Sequence, residues 1–167
     1  AIPRCKRMKI LVINGPNINM LGIREKNIYG AETYEDLKAL LEKTFAERGV
    51  EGEIYQSNHE GDLVDRIQQA YFDGTEGIVI NPAAYTHTSV AILDALKAVR
   101  LPAVEVHISD INAREPFRAV SVTAPACVRV ITGHGLAGYL EAMDYLLQHT
   151  NNTAAAPTCG CTGEALV

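Results

Sequence analysis

Five short strand-like runs, each closed by a polar cluster and followed by a helix-periodic or turn-forming segment, constrain this chain more than any other feature. The first run covers residues 9–13 and stops at Asn14-Gly15-Pro16. The second covers 53–56 and ends in Ser57-Asn58-His59; the third covers 77–80 and ends in Asn81-Pro82. The fourth covers 103–107 and ends in His107, and the last covers 127–131 before Gly133-His134-Gly135. All five read as strands, and the apolar first run as a buried one. Between the first two, Thr33 is placed to cap a helix with Asp36 three residues on, and Leu37, Leu40, Leu41 and Phe45 repeat at helical spacing before Gly49. Further helices are expected over 62–73, stopped by Gly74, over 88–99, and from the Gly133 region to about His149.

Strands alternating with helices imply a parallel sheet covered on both faces, with right-handed crossovers. The expected fold is therefore α/β: a flavodoxin-like, doubly wound, five-stranded parallel sheet in the order 2-1-3-4-5. One catalytic domain is expected over residues 9–149, preceded by an extension at 1–8 and followed by a disordered tail at 150–167, which lacks periodicity. Ligands of such folds bind outside the carboxyl ends of the strands. Here those ends carry Asn14, Asn17, Asn58, His59, Asn81, His87 and His107. The connection after the first strand is polar and about eighteen residues long, well beyond the usual length. Residues 17–31 within it are expected to act as a mobile lid.

Charge and composition narrow the function. The net charge of −5 offers no global basic field for nucleic acid. No apolar run is long enough to span a bilayer, and the basic start runs into a strand instead of a signal peptide's apolar core. The four cysteines, Cys5, Cys127, Cys159 and Cys161, do not form a disulfide framework at this spacing, which points to a reducing compartment and a cytoplasmic location. Cys159-Gly-Cys161 lacks the two-residue spacer of common zinc and redox motifs. Neither a Gly-x-Gly-x-x-Gly turn nor a P-loop lysine is present, so no cofactor and no metal are expected.

The residues that can do chemistry each have a plain alternative. His107 ends a strand and Glu105 lies two positions back, so both side chains share one face. A carboxylate there can orient an imidazole that works as general acid or base, or the histidine can simply be satisfied by loop backbone. Asn81 can cap its own turn, and it or His87 can bind ligand hydroxyls. Arg114 and Arg118 suit an acidic or hydroxylated ligand, or they pair with Glu115 on the surface. The backbone of Ile108 and Ser109 can cradle a carboxylate. Tyr29 is a poor base at an ordinary pKa near 10 unless a cation such as Arg24 adjoins it. Asp94 suits a solvated helix face. His59 and His134 fit helix borders, and His149 a helix end. Tyrosines 34, 55, 71, 139 and 145 fit ordinary packing.

Several blocks together resemble the type II 3-dehydroquinate dehydratases. They are Asn14-Gly15-Pro16-Asn17; the stretch from Glu25 to Gly30 ending Ile-Tyr-Gly; Gln56-Ser57-Asn58-His59-Glu60-Gly61; Ile80-Asn81-Pro82-Ala83-Ala84-Tyr85-Thr86-His87-Thr88-Ser89; and Glu105-Val106-His107-Ile108-Ser109 with Arg114-Glu115-Pro116-Phe117-Arg118. They stand in the family's order and span residues 9–147. The resemblance implies a cofactor-free hydro-lyase that converts 3-dehydroquinate to 3-dehydroshikimate by anti elimination through an enolate, without a Schiff base. It implies Tyr29 as base with Arg24 beside it, His107 as acid supported by Glu105, and Asn17 steadying the enolate through a water. It also implies carboxylate binding at Ile108 and Ser109, and hydroxyl binding by Asn81, His87 and Arg118. Asp94 would reach a neighbouring subunit's site in a dodecamer built from trimers. Asp110 stands where the family usually has Asn, and Asn112 where His is frequent, which bears on the geometry of that loop.

Two other readings of the same alternation fit less well. A receiver domain needs acidic residues after the first strand and a phosphorylatable Asp after the third, where this chain has Asn14 and Asn81. A flavin domain needs a hydroxyl-rich loop where Gly15-Pro16-Asn17 stands. A purely structural assembly protein would have no use for the polar cluster at the strand ends.

Overall fold

Along the first strand, β1 (Lys9–Asn14), successive side chains enter two different cores. The computed structural model describes residues 6–23 and 26–153, with backbone alone for Lys26, Tyr29 and residues 151–153. After β1 come a short helix α1 (Lys26–Tyr29), α2 (Tyr34–Arg48), β2 (Glu51–Gln56), α3 (Glu60–Phe72), β3 (Gly77–Asn81), α4 (Val90–Val99), β4 (Ala103–His107), β5 (Arg129–Thr132) and α5 (Ala137–Thr153). The sheet order is β2-β1-β3-β4-β5, and every pairing is parallel. This is the expected order.

Ile10 and Val12 meet Leu37, Leu41 and Phe45 of α2 and Tyr139, Met143 and Leu146 of α5. Leu11 and Ile13 meet Leu63 and Ile67 of α3 and Ile92 and Leu96 of α4. Two helices thus cover each face. A one-residue register slip in β1 would exchange the two sets, so the register is tightly specified.

Local signals set the element ends. Thr33 Oγ1 accepts from the Asp36 amide at 3.1 Å while Asp36 Oδ2 accepts from the Thr33 amide at 2.8 Å, which closes a capping box on α2. Gly49, at φ 63°, supplies the left-handed residue that ends α2. Ser89 caps α4 through the Ile92 amide at 2.9 Å, so that helix starts at Val90, two residues later than expected. The last strand starts at Arg129 instead of residue 127, because Ala124–Ala126 forms a 3-10 turn that leaves Cys127 at its end.

Two further expectations need correction. The long connection is not a single free loop: Ile18 and Leu21 are each 2% exposed and belong to the α2/α5 core. A lid spanning all of residues 17–31 is therefore excluded, since its first turn is anchored by apolar burial. His149 does not end its helix; α5 continues to Thr153, and the imidazole stacks on Tyr145 at 3.9 Å. The tail expected over 150–167 lies outside the described residues beyond Thr153. No helix among the described residues is long and apolar enough to cross a membrane.

Candidate active site

At the carboxyl edge of β1, β3 and β4 the chain leaves a cleft of about 150 Å³. Its floor and walls come from three strand ends and the connections that follow them. Asn17 and Ile18 follow β1, Asn81 ends β3 with Ala83, Ala84 and His87 after it, and His107 ends β4 with Ile108 and Ser109 after it. Arg114 and Arg118 overhang it from the segment after β4. Eight residues singled out by sequence therefore meet in one place. Glu105 stands behind His107. Asp94 is exposed on α4 and does not line this cleft. Arg24 and the Tyr29 side chain lie outside the described residues.

The strand period makes the central dyad. His107 Nε2 and Glu105 Oε1 are 2.6 Å apart, both essentially buried at 5% and 0% exposure. Ser121 Oγ donates to Glu105 Oε1 at 2.7 Å, and Thr123 Oγ1 donates to Oε2 at 2.6 Å. Burial alone would raise the Glu105 pKa; the hydrogen bonds from His107, Thr123 and Ser121 outweigh it and hold the carboxyl below its ordinary value. A buried carboxylate with this many donors stays ionised and keeps an Nε2–H on the imidazole, which leaves Nδ1 for proton transfer. Ser121 and Thr123 are functional partners that sequence reasoning missed. Their two-residue spacing mirrors that of Glu105 and His107, but they lie in an irregular segment where that spacing carries no signal.

The other wall residues show which alternative each adopts. Asn81 does cap its turn: Oδ1 accepts from the Ala83 amide at 3.1 Å, and Ala83 sits at φ 53°. Asn81 Nδ2 donates to the Tyr139 hydroxyl at 2.9 Å, which in turn donates to Asn14 Oδ1 at 2.6 Å. Tyr139 is thus more than packing. Burial pushes its phenol well above the ordinary value, a hydrogen bond from Asn81 opposing, so it remains a neutral hydroxyl. His87 Nδ1 faces the Val120 carbonyl at 2.8 Å, which leaves Nε2 as its other polar atom. Arg118 Nε lies 3.0 Å and Arg114 Nε 3.5 Å from Glu115 Oε2, so surface pairing and cleft lining coexist.

Backbone geometry completes the cleft. The Ile108 carbonyl accepts from the Gly135 amide at 3.0 Å, and the Ser109 carbonyl accepts from Thr132 Oγ1 at 3.1 Å. A trans peptide then turns the Ser109 N–H away from the Gly135 contact. Asp110 takes the capping role an Asn would have, its Oδ1 accepting from the Asn112 amide at 3.0 Å, while Asn112 is exposed. Asn17 adopts φ 66°, and its amide donates to Asn58 Oδ1 at 3.0 Å. Burial and the Glu105 carboxylate push the Cys127 thiol up to about 12, which disfavours the nucleophilic thiolate.

The profile of the family described as "Dehydroquinase class II" matches residues 8–147. The chain belongs to the class II dehydroquinase family. A 3-dehydroquinate dehydratase of Lachnoclostridium phytofermentans is 59% identical over 140 residues, which covers 84% of this chain and 97% of that one. The 3-dehydroquinate dehydratase of Caldicellulosiruptor bescii is 56% identical over 135 residues, 81% and 93% of the two chains. Among solved structures, a type II dehydroquinase from Butyrivibrio crossotus superposes with a TM-score of 0.84 at 58% identity, covering 84% of this chain and 98% of that one. The type II dehydroquinase from Propionibacterium acnes gives 0.81 at 44% identity, with 86% and 99% covered. Membership in the class II dehydroquinases makes the chain a hydro-lyase.

Proposed function

We propose that the cleft carries out the reversible anti elimination of water from 3-dehydroquinate to 3-dehydroshikimate, through an enolate and without a Schiff base. The observation that carries this reading is the His107–Glu105 dyad opening onto the same cleft as Asn81, His87 and the two arginines. Dehydration of a β-hydroxy ketone needs a base for the hydrogen alpha to the carbonyl, stabilisation of the enolate and an acid for the departing hydroxyl. In this reading Tyr29 is the base, with Arg24 as the cation beside it, and takes the alpha proton. The electron pair left behind forms the enolate, which Asn17 steadies through a water. The enolate then re-forms the ketone with a new carbon–carbon double bond, and the hydroxyl departs with a proton from His107 as water. Glu105 supports the imidazolium. The Ile108–Ser109 backbone takes the carboxylate, and Asn81, His87 and Arg118 the ring hydroxyls.

No cofactor or metal takes part in this scheme. The chain is proposed to act in the cytoplasm as a dodecamer built from trimers, with Asp94 reaching a neighbour's cleft. The exposure of Asp94 on α4, away from its own cleft, supports that placement. The functional test is direct: 3-dehydroquinate is added and the ultraviolet absorbance of the conjugated product is followed. A steady rise is expected; a flat trace with properly assembled protein would overturn the reading.

A further inference from the structure

We propose that Tyr139, on the buried face of α5, is a positioning residue that fixes the polarity with which Asn81 faces the cleft. The inference rests on the reading of this cleft as the dehydratase site. An asparagine amide can present either its oxygen or its nitrogen to a ligand, and the two ends are nearly isosteric. Here both ends are assigned from behind. The Ala83 N–H demands an acceptor and takes Oδ1. The Tyr139 hydroxyl offers a lone pair to Nδ2 because its own proton is committed to Asn14 Oδ1. Asn14 and Asn81 are register partners on adjacent strands, so the phenol from α5 bridges two neighbouring strand ends.

The chain of donors runs in one direction, from Asn81 to Tyr139 to Asn14. It holds Oδ1 toward the Ala83 N–H and leaves the second Nδ2 hydrogen as the donor Asn81 can offer to a cleft ligand. That suits a ligand oxygen offering a lone pair, such as a ring hydroxyl. Asn14 Nδ2 finds no hydrogen-bond partner among the described residues. Turning the Asn14 amide over would satisfy nothing more and would present a donor to Tyr139, removing the acceptor that directs its proton. All three side chains are buried, at 0%, 3% and 0% exposure for Asn14, Asn81 and Tyr139, so water does not readily substitute for a lost member.

The test is a double-variant cycle on turnover of 3-dehydroquinate. Tyr139→Phe keeps the ring and removes the relay. It should raise KM about tenfold, as expected for one well-placed hydrogen bond, with kcat and the pH profile nearly unchanged, because ground-state and transition-state binding are lost together. In an Asn81→Ala background the same change should add less than about twofold, because the group being positioned is gone. Effects that multiply, or an unchanged KM in the single variant, would overturn the proposal. If Tyr139→Phe does not fold, Asn14→Ala keeps the phenol but frees its proton and should give the same KM rise; parent-like KM there would equally overturn it. Should the parent protein itself leave 3-dehydroquinate untouched, the functional reading is what fails. Hydrogen exchange at the Asn81 side-chain amide then decides the positioning alone: slow in the parent and fast in Tyr139→Phe is expected, and equal rates count against it.

Discussion

At the scale of single residues the proposed scheme divides its proton transfers between two groups that can be separated by isotope exchange. Tyr29→Phe removes the proposed base and should lower turnover by roughly 10²–10⁴-fold, with a much smaller effect on substrate binding. His107→Ala removes the proposed acid, so loss of the hydroxyl should stop while exchange of the alpha hydrogen with deuterium oxide continues. Mass spectrometry of recovered substrate reads this difference. Exchange in Tyr29→Phe at the parent rate would show that Tyr29 is not the base. Glu105 adds a pH signature. Its carboxyl titrates below the ordinary 4.5 in the folded protein, so folding favours the ionised form. That contribution is complete well above pH 4.5 and is lost as the pH falls through the folded-state value. Denaturant midpoints of the parent protein should therefore drop more steeply below pH 4.5 than those of Glu105→Gln. At neutral pH the variant should be less stable by roughly 1–3 kcal/mol, as its neighbours lose a charged acceptor.

At the scale of elements, two contacts show how the connections hold the cleft in shape. Gly15 approaches the β3 turn so closely that an added Cβ would lie 2.4 Å from the Pro82 carbonyl oxygen, and its own amide donates to the Asn81 carbonyl at 2.8 Å. The obstructing atoms, the Pro82 carbonyl carbon and oxygen, are backbone. Gly15→Ala should destabilise the fold by about 1–3 kcal/mol and raise KM, because the turns carrying Asn17 and Asn81 are pushed apart; urea unfolding and steady-state kinetics measure the two effects. The connection after β1 gives a second test. Leu21→Ala should cost about 2–5 kcal/mol in urea unfolding, as a buried leucine does. A cost near zero would return Leu21 to an unanchored loop. This anchoring was illegible in the sequence because Ile18 and Leu21 stand three apart without a repeating partner, so no periodicity marks them. The helices and strands were legible for the opposite reason. Thr33, Gly49 and Gly74 punctuate runs whose apolar spacing repeats.

At the scale of the whole molecule, strand-end polarity was enough to locate the cleft, since a parallel sheet delivers all its carboxyl ends to one edge. The dyad was legible too, because a period of two is a local property of β4. The supports were not: Ser121, Thr123 and Tyr139 reach the site from segments 16 to 34 residues beyond Glu105, and only the folded chain brings them there. Assembly belongs to this scale as well. Light scattering should report twelve 18.1 kDa chains, and a fully active monomer would remove the role proposed for Asp94. The two-residue spacing of Glu105 and His107 has a mechanical corollary. The proposed acid and its carboxylate ride on one strand, so any sliding or tilting of β4 within the sheet carries both together and leaves their separation unchanged. Tyr29 comes from a different stretch of chain and shares no such rail. Heating, mild denaturant or a loosened mutant should therefore degrade the alignment of proton abstraction before that of hydroxyl departure. The deuterium isotope effect on turnover of alpha-labelled substrate should grow under those conditions, as the weakly coupled half of the machinery becomes the slower one.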